Sequence, residues 1–224
     1  ISSLYTQQEF NTKIQLINSN GISECIKKNK QGNKCLLLYS GHQIIPGGGS
    51  DQGFFTNESY LYYSSNYSIC IDQVSSAYPL SLNQFIYIPF LFIFKDLNKP
   101  TFPTLKTTEG EKISVLVAAS PYRPKTNIVM QNSYDINASL YEVSARYIDE
   151  QAIKNQLMYQ VRTALFLGYD TIVFDDRGID DYWLPAHNTA KIVREMINQF
   201  NGKFKEIIVA VGKPHLHAIY KNYI

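Results

Sequence analysis

Residues 151–211 read QAIKNQLMYQVRTALFLGYDTIVFDDRGIDDYWLPAHNTAKIVREMINQFNGKFKEIIVAV, and this stretch decides the fold. Ile153, Leu157, Val161, Ala164 and Leu165 recur at helical spacing and line one face of a helix. Gly168 stands where a helix carboxyl end is expected. Thr171–Phe174 is a short apolar run that reads as a buried strand. Asp175 to Leu184 is a polar loop. Pro185 then opens a second helix, whose stripe is Ala190, Val193, Ile197 and Phe200. Glu206–Val211 is another strand, and a short helix closes the chain. This alternation predicts a largely parallel sheet covered by helices. In such sheets ligands bind at the carboxyl ends of the strands.

Working outward, Cys35–Tyr39 is a buried strand that runs into a loop ending Pro46-Gly47-Gly48-Gly49. Residues 57–67 predict a helix. Phe85–Phe94 reads as one or two strands around Pro89, and Lys112–Ala119 as another strand ending at Ser120-Pro121. Residues 134–149 carry no decisive pattern. Residues 5–19 read as a weak helix ending near Asn20-Gly21. The expected organisation is therefore a helical extension over residues 1–34 and one ligand-binding domain over 35–224.

Composition removes several classes. The 224 residues suit one domain, and 45% apolar against 18% charged residues can bury a core. Twenty-one Lys and Arg against 19 Asp and Glu leave a formal charge of +2, too little to hold a polyanion without direct readout, so no nucleic-acid binding is expected. The apolar run at 85–94 is about half of what a membrane span needs, and Pro89 interrupts it. Cys25, Cys35 and Cys70 are odd in number and form no CxxC pair, which argues against a disulfide scaffold. His215 and His217 offer too few ligands for zinc. The chain opens on Ile, so any removed leader is invisible. The expected location is the cytoplasm, or a host cell's cytosol if the protein is secreted.

Three loops at strand ends hold the candidate site. Pro46-Gly47-Gly48-Gly49-Ser50-Asp51 precedes a helix, and its backbone N–H groups can cradle a phosphate or ribose; a flexible surface turn fits the same letters. Asp175, Asp176, Asp180 and Asp181 lie beside the sole Trp, Trp183. Like charges this close raise one another's pKa when buried, which poises an acid or base. A solvated loop with aspartates at a helix start is the plainer alternative. Ala118-Ala119-Ser120 ends a strand in small residues, which permits close approach by a ligand, or is simply a strand running into a loop.

The order of these segments resembles the macrodomain superfamily, most closely its microbial poly(ADP-ribose) glycohydrolase-like branch, over roughly residues 35–222. The matching pieces are Leu36–Tyr39 leading to Pro46-Gly47-Gly48-Gly49 and Asn57-Glu58-Ser59; Tyr87–Asp96; Ser114–Pro121; and Gly168–Val173 followed by Gly178–Tyr182 and Pro185. The resemblance implies a three-layer α/β/α macrodomain with a mixed, largely parallel central sheet. It also implies ADP-ribose as ligand and product, with no cofactor required. On the same resemblance Gly47, Gly48, Gly49, Ser50, Ser120, Gly178 and Ile179 grip the diphosphate and distal ribose. Tyr182 packs on that ribose, with Trp183 beside it.

A glutamate after the glycine loop does the acid/base work in that branch, within a Gln-Glu-Glu motif six to eight residues beyond the glycines. Two registers fit here. One places Ser59, which is no carboxylate, at the catalytic position; the other places Glu58 there. Asp180 replaces a glycine of the family's Gly-x-Gly loop, where its charge would repel a diphosphate by roughly 1 kcal/mol or more if partly desolvated. The expected activity is an ADP-ribosyl hydrolase acting on a modified protein or an ADP-ribose polymer, with Glu58, Asp51, Asp176, Asp180 and Asp181 as acid/base candidates. Outward aspartates would suit an ADP-ribosylated arginine. The alternatives are an inactive ADP-ribose reader module and, ranked lower, a metal-dependent phosphohydrolase using the acidic loop.

Overall fold

The computed structural model describes residues 9–97, 99, 103–120, 150–182 and 184–224. Six strands form one sheet: β1 (Lys13–Ile17), β2 (Cys35–Gly41), β3 (Phe85–Ile93), β4 (Glu111–Ala119), β5 (Thr171–Phe174) and β6 (Glu206–Ala210). Their spatial order is β1-β6-β5-β2-β4-β3. All neighbours are parallel except β3, which runs antiparallel to β4 along one edge. The mixed, largely parallel sheet expected from the alternation is present.

Burial on both faces explains the apolar runs. In β2, Leu36 and Leu38 point to one core while Leu37 and Tyr39 point to the other, and all four are buried. The first core is closed by α4 (Glu150–Phe166), α6 (Ala186–Gln199) and α7 (Pro214–Tyr220). The second is closed by α1 (Gly21–Lys30), α2 (Asn57–Ser64) and α3 (Tyr67–Asp72). Helices on both faces make the three layers. Each fully buried Leu or Ile contributes about 1.5–3 kcal/mol by leaving water.

Local chemistry sets the element ends. Asn20 Oδ1 accepts from the Ser23 N–H at 2.8 Å and starts α1. Gly168, at φ 72°, ends the α4 segment in the left-handed conformation glycine tolerates. Two glutamines of α4 dock it on the sheet: Gln156 Nε2 donates to Ala119 O at 2.6 Å, and Gln160 Nε2 to Leu116 O at 3.1 Å. Pro89 sits in a register break between Ile88 and Leu91 of the edge strand. A residue lacking an N–H is tolerated at such a bulge.

Three expectations need correction. Lys13–Ile17 is a strand paired with β6, not part of a helix. Its apolar residues pack beside a sheet edge, and that tertiary pairing overrides a weak helical pattern. The helix expected over 57–67 is two helices, α2 and α3, broken at Ser65-Asn66. The polar loop after β5 contains a helical turn, α5 (Ile179–Tyr182). Residues 121–149, including the patternless 134–149, lie outside the described residues.

Candidate functional site

The carboxyl ends of β2, β4, β5 and β6 bring together the glycine turn, the acidic loop and the amino end of α2. At the end of β2 the chain passes through His42. The His42 N–H donates to Glu58 Oε2 at 2.8 Å, and the Tyr67 hydroxyl donates to Glu58 Oε1 at 2.6 Å. The Gly47 N–H adds a further bond to the same carboxylate. Glu58 is 0% exposed. Burial pushes its carboxyl up to about 7, against the pull of the Tyr67, His42 and Gly47 donors. His42 Nδ1 accepts from the Ile44 and Ile45 N–H groups, so its proton resides on Nε2, and burial holds its pKa down.

Residues 46–52 form a tight turn in which Gly47, Gly48 and Gly49 all have positive φ, between 67° and 74°, and so depart from a right-handed helix. Their bare Cα atoms face α2 and the chain that leads into it. A Cβ on Gly47 would meet the Tyr62 ring at 2.9 Å, one on Gly48 would strike Thr56 Oγ1, and one on Gly49 would meet the Phe54 ring at 2.9 Å. The triplet thus lets the turn lie directly against the element carrying Glu58. Gly48→Ala is expected to lose about 1–2 kcal/mol from the left-handed backbone alone, and more from the collision with Thr56. A urea midpoint equal to wild type would contradict that packing.

Ser50 is buried, with its Oγ 2.7 Å from Gly47 O and 2.8 Å from Ser59 Oγ. Ser59 is buried too, and its Oγ accepts from the Thr56 N–H at 2.9 Å. Of the two register candidates, Glu58 is the carboxylate beside the glycine turn, while Ser59 locks the start of α2. Asp51 is exposed on the outer side of the turn.

The loop after β5 is organised by Asp175, which the sequence marked only as one letter of the acidic run. Asp175 accepts from the Ser40 N–H at 3.0 Å, the Asn57 side-chain amide at 2.9 Å and the Arg177 N–H at 2.9 Å. It therefore ties β2, α2 and its own loop together. Burial raises its pKa and the neighbouring Arg177 guanidinium, 3.7 Å away, opposes that rise. Arg177 is buried, and it has φ 61°, alone among the described non-glycine residues in being positive. The guanidinium also reaches Gln156 Oε1 at 3.5 Å.

Beyond it the three aspartates proposed as acids or bases are already engaged. Asp176 Oδ1 accepts from the Gly178 N–H at 3.0 Å. Asp181 accepts from the Asn57 N–H at 2.8 Å, where the amino end of α2 favours a negative charge. Lys213 lies 3.5 Å from Asp176, 3.2 Å from Asp180 and 4.0 Å from Asp181. His215 sits 3.0 Å from Asp180. Burial works against the charge on Lys213, but the three carboxylates outweigh it and raise its pKa. Burial likewise raises Asp180, yet His215 and Lys213 bring it below the ordinary range. Asp181 is raised, mainly by burial. Lys213 and His215 are thus the basic partners that the chain itself sets against the acidic loop. Among the described residues no three His, Cys, Asp or Glu side chains are grouped to hold a metal.

The other candidates fall as follows. Ser120 is buried, and its N–H donates to Gly41 O at 2.8 Å, closing the end of β4 against β2. Gly178 has φ 61° and precedes α5. Ile179 is a core residue, 3% exposed, whose side chain packs inward. Tyr182 ends α5, and its side chain and Trp183 lie outside the described residues. Sequence reading gave no role to His42, Tyr67, Arg177 or Lys213, and counted Asp175 only within the acidic run and Asn57 only within the segment 57–59. Asp175 and Lys213 follow the carboxyl ends of the two buried strands β5 and β6, which was the available signal.

No protein-family model and no curated protein sequence matches the chain. Solved structures do. A point mutant of poly(ADP-ribose) glycohydrolase from Thermomonospora curvata superposes with a TM-score of 0.76 at 17% identity, covering 95% of this chain and 79% of that one. The same enzyme bound to the inhibitor ADP-HPD gives 0.74 at 17% identity, with the same coverage. The glycohydrolase of Deinococcus radiodurans in complex with ADP-ribose gives 0.72 at 18% identity, covering 99% and 88%. The chain has the macrodomain-like α/β/α fold of the bacterial poly(ADP-ribose) glycohydrolases.

Proposed function

We propose that the protein binds ADP-ribose at the carboxyl edge of its sheet and hydrolyses the glycosidic bond at the distal ribose. The observation that carries this reading is Glu58: a buried carboxyl with a pKa near neutrality, behind a glycine turn, in a fold shared with glycohydrolases whose structures contain ADP-ribose. Near pH 7 a useful fraction of Glu58 is protonated. It donates that proton to the leaving atom as the bond to the anomeric carbon breaks through an oxocarbenium-like state. The resulting carboxylate takes a proton from the attacking water, whose oxygen bonds to the anomeric carbon, and Glu58 ends protonated as it began. The substrate is an ADP-ribosylated protein or an ADP-ribose polymer. This route calls on no metal, and a chelator is expected to leave turnover unchanged.

One observation favours a second reading, a reader that binds without cleaving. Glu58 is sealed from solvent and both of its oxygens already accept hydrogen bonds. Incubation with mono-ADP-ribosylated protein and chromatography of the released nucleotide separates the two. Free ADP-ribose appearing at a rate proportional to enzyme supports the hydrolase. Tight binding with no release on serine, glutamate or arginine linkages supports the reader.

A further inference from the structure

The sixty residues from Cys35 to Phe94 contain no Lys or Arg, and their acidic residues are Asp51, Glu58 and Asp72. This stretch builds the whole glycine-turn side of the candidate site, including α2 and α3. It also carries an unusual surface. Phe54 is 58% exposed, Phe55 67%, Tyr60 40% and Tyr63 47%, all within ten residues of one another. Phe55 and Tyr60 meet edge to face, with ring centroids 5.6 Å apart. Tyr63 is anchored by donating to Ser50 O at 2.6 Å. Contiguous exposed aromatics of this kind mark an interaction surface.

The charges choose the occupant. Each unit of an ADP-ribose polymer carries a diphosphate. Surfaces that track such backbones pair their aromatics with Lys and Arg, because stacking alone leaves the phosphates unneutralised. Here, among the described residues, the cation that reaches the amino end of α2 is Lys213, and it is engaged by Asp176, Asp180 and Asp181. The charged side chain exposed next to the aromatic patch is Asp51. An anionic chain crossing this rim would meet Asp51 on a stretch that itself carries no Lys or Arg.

We infer that the group beyond the scissile bond is a protein segment rich in apolar and basic residues, received by Phe55 and Tyr60, rather than a further ADP-ribose unit. This rests on the reading of Glu58 and its surroundings as the ADP-ribose site, and it narrows that site's substrate to protein-linked ADP-ribose. Apolar side chains cover the aromatic rings, and a basic side chain faces Asp51.

The test uses two synthetic peptides, each mono-ADP-ribosylated on one serine. One carries Leu and Lys on either side of the serine, the other Gly and Glu. Free ADP-ribose and purified poly(ADP-ribose) serve as comparisons. Calorimetry reports affinity, and nucleotide release reports turnover where it occurs. Wild type is expected to favour the Leu/Lys peptide at least about tenfold over the Gly/Glu peptide, and over polymer at equal concentration of chain ends. The Phe55→Ser/Tyr60→Ser double variant is expected to lose that preference while binding free ADP-ribose like wild type. Equal preference for the two peptides, polymer handled as well as peptide, or a double variant that keeps the preference would each overturn the inference. Failure of wild type to bind free ADP-ribose is a different result: it removes the proposed site itself, and this inference with it.

Discussion

Glu58→Gln is expected to lower release of ADP-ribose by about 10²–10⁴-fold, the usual contribution of a general acid/base, with ADP-ribose affinity changed by no more than about twofold. The amide keeps a carbonyl oxygen to accept from the His42 and Gly47 N–H groups and can donate to the Tyr67 hydroxyl oxygen, so the cradle is retained while proton transfer is lost. A second consequence separates this site from an exposed glutamate. The folded-state pKa of about 7 lies above the ordinary carboxyl value of 4.5, so the folded protein holds this proton more tightly than the unfolded chain. The stabilisation is full below about pH 4.5 and is lost as pH rises through 7. The difference is about 3 kcal/mol at 1.36 kcal/mol per pKa unit. The glutamine variant lacks this titration. Its urea-unfolding free energy should match wild type near pH 4 and exceed it at pH 8. Turnover unchanged by the substitution would remove Glu58 from the mechanism. Parallel pH–stability curves would show that its carboxyl is not held near neutrality.

Asp175→Ala is expected to cost about 3–5 kcal/mol, the range seen when one partner of a buried charge pair is removed. Three donors from three elements lose their acceptor at once, and the Arg177 guanidinium is left buried without its carboxylate. Domains are stable by only about 5–15 kcal/mol, so the variant should unfold at markedly lower urea and bind ADP-ribose poorly. Asp175→Asn keeps one acceptor oxygen in place and should fall between the two. An alanine variant within about 1 kcal/mol of wild type would show that Asp175 does not hold the β2 end, α2 and the acidic loop together.

How far these features could be read from sequence follows from the range of the interactions. The β4, β5 and β6 strands and helices α4 and α6 were legible because their signals are local: apolar runs, helical periodicity, Gly168 and Pro185. The strand at Lys13–Ile17 was not. Its identity depends on pairing with Glu206–Ala210, nearly two hundred residues away. The same distinction governs the site. Glu58 and the glycine turn are close in sequence and were visible together. The role of the glycines was not, because it depends on what their missing side chains would strike: Tyr62, Thr56 and Phe54. The acidic loop was visible as letters, but its contacts with Lys213 and His215 come from residues more than thirty positions further on. Asp175 and Asn57 are 118 positions apart, and nothing local to either names the other.

The most direct measurement is a calorimetric titration of the wild-type protein with free ADP-ribose. The account predicts a saturable isotherm with one site per chain, and competition between ADP-ribose and an ADP-ribosylated substrate for that site. Absence of saturable heat at millimolar ADP-ribose, with the protein shown to be folded, would contradict it.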